Sequence, residues 1–261
     1  MRCLGFRRRI LEVSQTVPAL HIAPAFSCLE IVDCIYHGLM RRAPDGSTPD
    51  LFLMSKGHGC MAQYVILEEL KVLSRQDLEG YCRAGGRLGA HPDYGIPGIE
   101  GATGSLGHGL SMAVGMAYAE KVQGTGARVY VLLSDGEVQE GSTWEALLMA
   151  TVLGVSNLVA FIDNNDFQSL GRTSETHPSF YPLVDKFEAF GWEVVALNGH
   201  DAAAIHEAVR TREGTRPMMI VGQTVKGRGV SYMENVPIWH YRAPSPEEYL
   251  EALEGLSEVS S

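Results

Sequence analysis

Two uninterrupted apolar runs, residues 128–134 (RVYVLLS) and 157–163 (NLVAFID), flank a helical stretch at 140–153. Apolar runs that do not alternate with polar residues suit strands buried on both faces, as in a parallel sheet covered by helices. The rhythm continues with a helix at 181–190, a strand at 192–197, a helix at 202–212 and a strand at 217–224 (PMMIVGQT). Strands alternating with helices predict an α/β fold, a doubly wound parallel sheet with helices on both faces. In such sheets ligands bind beyond the carboxyl ends of the strands. The residues that follow each strand therefore carry the functional information.

Asp135 and Gly136 follow the first run, and Asn165 and Phe167 follow the second. One carboxylate and one amide neutralise a divalent cation poorly. They leave coordination positions open for a ligand that brings its own oxygens, such as a diphosphate. Gly136 lets the backbone turn sharply beside such a ligand. Taken singly, Asp-Gly also serves as a plain turn and Asn as a loop residue, so both readings stand at this point.

The first half of the chain reads differently. Residues 5–17 and 57–70 are helical in pattern. A further helix is expected from Ser27, a good N-cap, to Met40, with Leu29, Ile31, Val32, Ile35 and Leu39 toward a core. Residues 44–49 form a turn-rich connection. Residues 84–107 hold eight glycines, too many for regular structure, and long ordered loops of this kind usually serve function. His21, His58 (in SKGHG), His91 (in GAHPD) and His240 (in WHYR) lie in or near such turns. Imidazoles converging on one cleft suit hydroxyl-rich or carbonyl substrates, because each can donate and accept near neutral pH. His37, His177, His200 and His206 carry no motif and are taken as surface or structural.

Composition narrows the classes. With 45% hydrophobic and 20% charged residues the chain is globular, and a net charge of −10 argues against a nucleic-acid partner. The basic run Arg7-Arg8-Arg9 is expected on a solvated helix face. Five cysteines form no Cys-x-x-Cys pair, which favours a reducing compartment, and no apolar stretch appears long enough to cross a bilayer. No signal-peptide pattern is present, so a cytoplasmic location without a membrane partner is expected. One domain is expected over residues 1–261, with about 246–261 peripheral.

LLSDGEVQEGSTWEALLMA, ATGSLGHGLSMAVGMA, SKGHG, AHPDYGIPGIE and TVKGRGV…WH, in their order and spacing along the chain, resemble the N-terminal, diphosphate-binding half of a split transketolase. The resemblance covers about residues 5–250 and implies the roles that follow. Asp135, Asn165 and the Phe167 carbonyl would ligate Mg²⁺, and Gly136 and His58 would contact the diphosphate of thiamine diphosphate. Ser27 and Lys226 match cofactor-touching positions, though Ser27 also reads as a helix cap and Lys226 as a solvated charge. Gly104, Ser105 and Leu106 match the loop that approaches the aminopyrimidine through its backbone. His21, His91 and His240 match substrate-channel histidines, and Glu140 a glutamate in the network toward the cofactor-activating site. Glu140 would in any case favour its helix N-terminus. His108 reads as packing or capping.

Ser134 replaces the first glycine of the family's Gly-Asp-Gly, and Pro24 stands where relatives often have a substrate-touching serine. The pyrimidine-binding domain that follows in full-length relatives is absent, so a separate chain is expected to complete an α₂β₂ enzyme. That enzyme would move a two-carbon ketol unit from a ketose to an aldehyde. Two rivals share the fold: a non-catalytic cofactor-binding subunit, and the α-subunit of a 2-oxo acid decarboxylating enzyme. A nicotinamide-dependent dehydrogenase does not fit, because Gly104 to Gly109 has the wrong glycine spacing and follows a loop.

Overall fold

The computed structural model describes residues 2–17, 20–169 and 171–258. The elements in chain order are α1 (Arg2–Ser14), α2 (Ile22–Cys34), β1 (Leu51–Met54), α3 (Cys60–Glu69), α4 (Arg75–Glu79), α5 (Gly109–Gln123) and β2 (Val129–Ser134). They continue with α6 (Gly141–Leu153), β3 (Leu158–Asn164), β4 (Phe167–Gln168), β5 (Gly171–Arg172), α7 (Thr173–Thr176) and α8 (Leu183–Ala189). The last are β6 (Glu193–Asn198), α9 (Ala202–Thr211), β7 (Met218–Gln223) and α10 (Pro246–Glu258).

Five strands form one sheet in the order β1-β2-β3-β7-β6, and every pairing is parallel. Alternate residues of the central strands feed two separate cores, which is why their sequences are apolar throughout. Tyr130, Leu132, Val159, Phe161 and Ile220 pack with α1, α2, α3 and α9. Val129, Val131, Leu133, Ala160 and Ile162 pack with α5, α6 and α8. The doubly wound expectation holds. Register sets Ser134 beside Asp163 and Asn164 beside Gln223, so the carboxyl ends of β2, β3 and β7 finish level with one another.

Several local expectations are corrected. Helix α2 starts at Ile22, so Ser27 lies in its interior and caps nothing. Pro24 sits in the first turn, where its missing N–H costs no helical bond. The helix then widens into a π-helical turn over Ile35–Leu39. Strand β1 is not apparent in LFLM from sequence. The run 22–39 is long and apolar enough to cross a membrane, with mean hydropathy 1.2, contrary to the sequence expectation. It is 83% buried against the sheet and neighbouring helices, as a core helix is. The basic run of α1 is not a solvated face either. Arg7 is buried, bonded to Glu30 and to the Phe26 and Arg228 carbonyls, while Arg9 pairs with Glu68. Residues 246–258 form α10, which packs on α1 and buries Ala252 and Leu256. All five cysteines are free.

Candidate active site

At the carboxyl edge of the sheet lies a cleft of about 320 Å³. Its walls hold His21, His58, His91, Gly104, Leu106, Gly136, Glu140, Phe167 and His240, nine residues singled out by sequence. His21 immediately precedes α2 and stands at the centre of the histidines. Its ring centroid is 5.8 Å from those of His58 and His91 and 5.4 Å from that of His240. Tyr241 packs on its far side at 4.4 Å.

Glycines shape the wall that carries His91. Gly104 has φ +133°, and a Cβ there would stand 2.8 Å from Cγ of the His91 ring. Gly57 packs on Gly104 in turn, since its own Cβ would be 2.8 Å from the Gly104 nitrogen. The loop is pinned from below: the Tyr64 hydroxyl donates to the His91 carbonyl (3.0 Å) and the Thr103 hydroxyl to the Met54 carbonyl (2.6 Å). Long irregular sequence here is thus ordered backbone.

Burial sets the chemistry of the rings. It is the main cause that holds His21 down at about 4 and His240 at about 3, with the Lys226 charge next for His240. Burial likewise lowers His58 and His91. The four imidazoles are therefore neutral at pH 7, each offering one N–H and one lone pair. Lys226 is buried behind His240 and its ammonium donates to Nδ1 at 3.0 Å, which leaves the imidazole hydrogen on Nε2. Burial brings Lys226 down to about 8. It is not the solvated charge that its Lys-Gly-Arg-Gly turn suggested.

Asp135 lies under the cleft floor, fully buried. Its carboxylate accepts from the Gly136 and Asp166 amides (2.9 and 2.6 Å) and from the Tyr181 hydroxyl (3.0 Å). None of these donors is a cation, and among the described residues Asp135 has no ion pair. Burial, followed by the charge of Asp163, pushes its carboxyl up to about 7. A buried carboxylate without a counter-charge is costly, and a divalent cation would remove that cost. Beside it, Asn165 Oδ1 accepts from the Phe167 amide at 3.0 Å and retains a second lone pair. Gly136 has no side chain to fill the adjacent space, where a Cβ would meet Gln168 at 3.2 Å. Among the described residues no three His, Cys, Asp or Glu side chains form a closed metal cage. The donor set thus fits a hard cation shared with an oxygen-rich ligand.

Three sequence-identified residues stand apart from the cleft or at its rim. Ser105 is exposed on the loop beside Gly104. Ser27 is completely buried and its hydroxyl is engaged by Asp163 and the Pro24 carbonyl, so it does not present itself to a ligand in the cleft. Glu140 reaches the wall as the residue before α6, without a side-chain capping bond. His108 occupies the N-cap of α5 but likewise makes no capping bond, its Nδ1 lying near the Leu106 carbonyl. The Ser134 hydroxyl accepts from the Glu137 amide (3.2 Å), so it serves the turn after β2.

Sequence reasoning missed the buried pair Lys56–Asp163, bonded also by Ser27 and Thr224. It also missed Glu137, which gathers the Ser55 hydroxyl and the Gly107 amide (2.9 Å) at the base of the glycine loop. A signal existed: both LFLMSK and LVAFID end an apolar strand with a full charge, which must find a partner when buried.

Known proteins share this chain's pattern over nearly its whole length. The sequence model of the family described as transketolase, thiamine diphosphate binding domain, matches residues 9–248. One of the subunits of the apulose-4-phosphate transketolase of Phocaeicola vulgatus is 40% identical over 257 residues, covering 97% of this chain and 91% of that protein. The 6-deoxy-6-sulfo-D-fructose transketolase subunit SqwG of Clostridium sp. is 36% identical over 234 residues, covering 87% and 85%. The solved transketolase of Campylobacter jejuni superimposes with TM-score 0.86 at 26% identity, covering 98% of this chain and 43% of that one. That of Leishmania mexicana also gives 0.86, at 27% identity, with coverage of 98% and 40%. The chain spans about two-fifths of these solved transketolases and most of the two subunits.

Fold and site together define a thiamine-diphosphate-binding α/β domain. The chain belongs to the transketolase family, as the diphosphate-binding component of a transketolase-like transferase.

Proposed function

We propose that this chain anchors Mg²⁺ and thiamine diphosphate and lines the donor-sugar channel of a two-chain ketol transferase. The observation that carries the reading is the convergence of four neutral histidines on one cleft above the buried Asp135 carboxylate, which has no ion pair among the described residues. Asp135 and Asn165 through their side chains, and Phe167 through its carbonyl, would hold the metal. Gly136 and His58 would face the diphosphate, and the backbone of Gly104, Ser105 and Leu106 would face the aminopyrimidine. Lys226 supports that end of the site from behind His240, and Ser27 acts through Asp163. When bound, thiamine diphosphate would supply the nucleophilic carbon that ketol transfer needs.

The chain's own residues orient and protonate. His21, His91 and His240 hydrogen-bond the donor hydroxyls, and His240, with its hydrogen held on Nε2, is the donor best placed by a neighbour. Neutral imidazoles can accept the proton that leaves a sugar hydroxyl when its C–C bond breaks. Glu140 stands at the cleft rim, toward the second chain.

The similarity to proteins named as transketolase subunits supports a partner chain, which on this reading carries the remaining half of the site. We propose an α₂β₂ assembly of the two chains. Ketose donors and aldehyde acceptors are the substrates of this reading. We place the complex in the cytoplasm, which five unpaired cysteines support.

The test is co-expression with the chain encoded by the neighbouring reading frame. Calorimetry should show Mg²⁺-dependent thiamine diphosphate binding, and the assembled pair should form a ketol product from a ketose and an aldehyde. Asp135→Ala should abolish both. Unchanged activity in that variant would exclude the catalytic reading.

A further inference from the structure

Across the sheet from the catalytic cleft, at the amino ends of the strands, a second cavity of about 320 Å³ opens between Arg128, α9 and the turn that ends α2. Arg128, Arg210, Arg212 and His206 line it, over an apolar floor of Leu39 and Val209. Among the described residues no carboxylate lines it. This runs against the composition, in which 31 acidic residues outnumber 21 basic ones.

Most arginines of this chain are in ion pairs, and Arg210 itself pairs with Glu207 on the outer side. Arg128 and Arg212 are different. Each is half-buried, and among the described residues neither has an ion pair. Arg212 donates to the Ser156 carbonyl at 2.8 Å, and Arg128 lies beside the Tyr130 hydroxyl. A guanidinium has five N–H donors, so both keep free donors. Their charges oppose each other. Burial first, and then the Arg128 charge, lowers Arg212 from its ordinary value, with Tyr130 and Glu193 acting in the other direction. Two partly desolvated guanidinium forks beside an imidazole match the oxygens of a tetrahedral dianion, which would also relieve their repulsion.

We propose that this cavity is a binding site for a phosphate-bearing small molecule, with Arg128 and Arg212 gripping the phosphate and Leu39 and Val209 contacting its organic part. The ligand is neither the cofactor nor the sugar in the catalytic cleft, because the sheet separates the two sites. The proposal does not depend on the function proposed above.

Calorimetric titration of the full chain with inorganic phosphate and with glycerol 2-phosphate tests it. Both should bind, and the ester more tightly because its carbon part rests on the apolar floor; equal affinities would overturn the contact assigned to Leu39 and Val209. Arg128→Gln and Arg212→Gln should each weaken binding by about tenfold or more. Arg128→Lys, which keeps the charge but not the fork, should fall between and guards against a folding defect. Asp135→Ala should leave this binding unchanged, which separates it from phosphate entering the cofactor site. Binding that is insensitive to the two arginines, abolished by Asp135→Ala, or missing for both anions would overturn the proposal.

Discussion

His21 shows how a single residue couples stability to the chemistry of the cleft. Among the described residues its buried Nδ1 has no hydrogen-bond partner, and three other imidazoles surround it. A histidine whose folded pKa is depressed binds fewer protons folded than unfolded, so its contribution to stability is lost as pH falls. For His21, held at about 4, that loss begins below the ordinary histidine value of 6.5 and continues toward 4. Between pH 7 and pH 5 it amounts to no more than about 2 kcal/mol. Thermal unfolding of the cofactor-free chain should therefore weaken over this range, and His21→Asn should flatten the slope. A slope unchanged in the variant would show that His21 is not held neutral by its burial. Gly104 is the companion case. Alanine there meets both the positive φ and the His91 ring, so Gly104→Ala should destabilise the chain by about 1–3 kcal/mol and weaken thiamine diphosphate binding. Wild-type melting and affinity would refute that account. The histidines and glycines are legible in the sequence because each type has few other reasons to cluster. Ser27 misleads because serine caps helices so often, and only the burial of Asp163 beside it reveals its partner.

Four elements meet at Asp163. Lys56 follows β1, Asp163 lies at the end of β3, Ser27 lies in α2 and Thr224 follows β7, and all of their polar groups join in one buried cluster. The cluster locks the strand ends that carry the cleft. Removing one charge leaves the other buried and unpaired, so Lys56→Met should cost about 3–5 kcal/mol. The double variant Lys56→Met with Asp163→Leu should recover much of that loss, while the cleft loses its alignment and cofactor affinity falls. Denaturant unfolding of the single and double variants measures the coupling, and additive losses would show that the pair is not a unit. At this scale the sequence conveys the sheet better than its edges. Strands β2, β3 and β7 are apolar on both faces and read plainly, whereas β1 has only four residues behind a proline-rich turn. The start of α2 is hidden because Pro24 looks like an interruption, although proline suits a first helical turn. The short β4–β5 hairpin has no periodicity to detect.

On the whole molecule, one face is unlike the rest. Helices α5 and α6 pack side by side and turn Leu110, Ala113, Leu147 and Ala150 inward. Outward they expose Tyr118, Val122, Leu148, Met149 and Val152, with Val122 67% and Val152 76% accessible. On the same two helices a Cβ at Gly115 or Gly141 would meet nothing within 4 Å among the described residues. A contiguous exposed apolar surface on a folded chain marks an interaction site. In the α₂β₂ assembly proposed above, a second copy of the chain would cover this face. Such an isologous contact would bury residues 148 and 152 of both copies at once. A carboxylate there would lose its hydration when the face is covered, whereas on an exposed monomer surface it would be neutral for folding. Val152→Glu combined with Leu148→Glu should therefore raise the dissociation constant between copies by about 100-fold, roughly 3 kcal/mol. Helical content and melting at low protein concentration should stay unchanged. Light scattering on the chain alone and with its partner reads the mass directly. If the double variant keeps the wild-type mass in both states, this face does not join copies, and the assembly must close elsewhere.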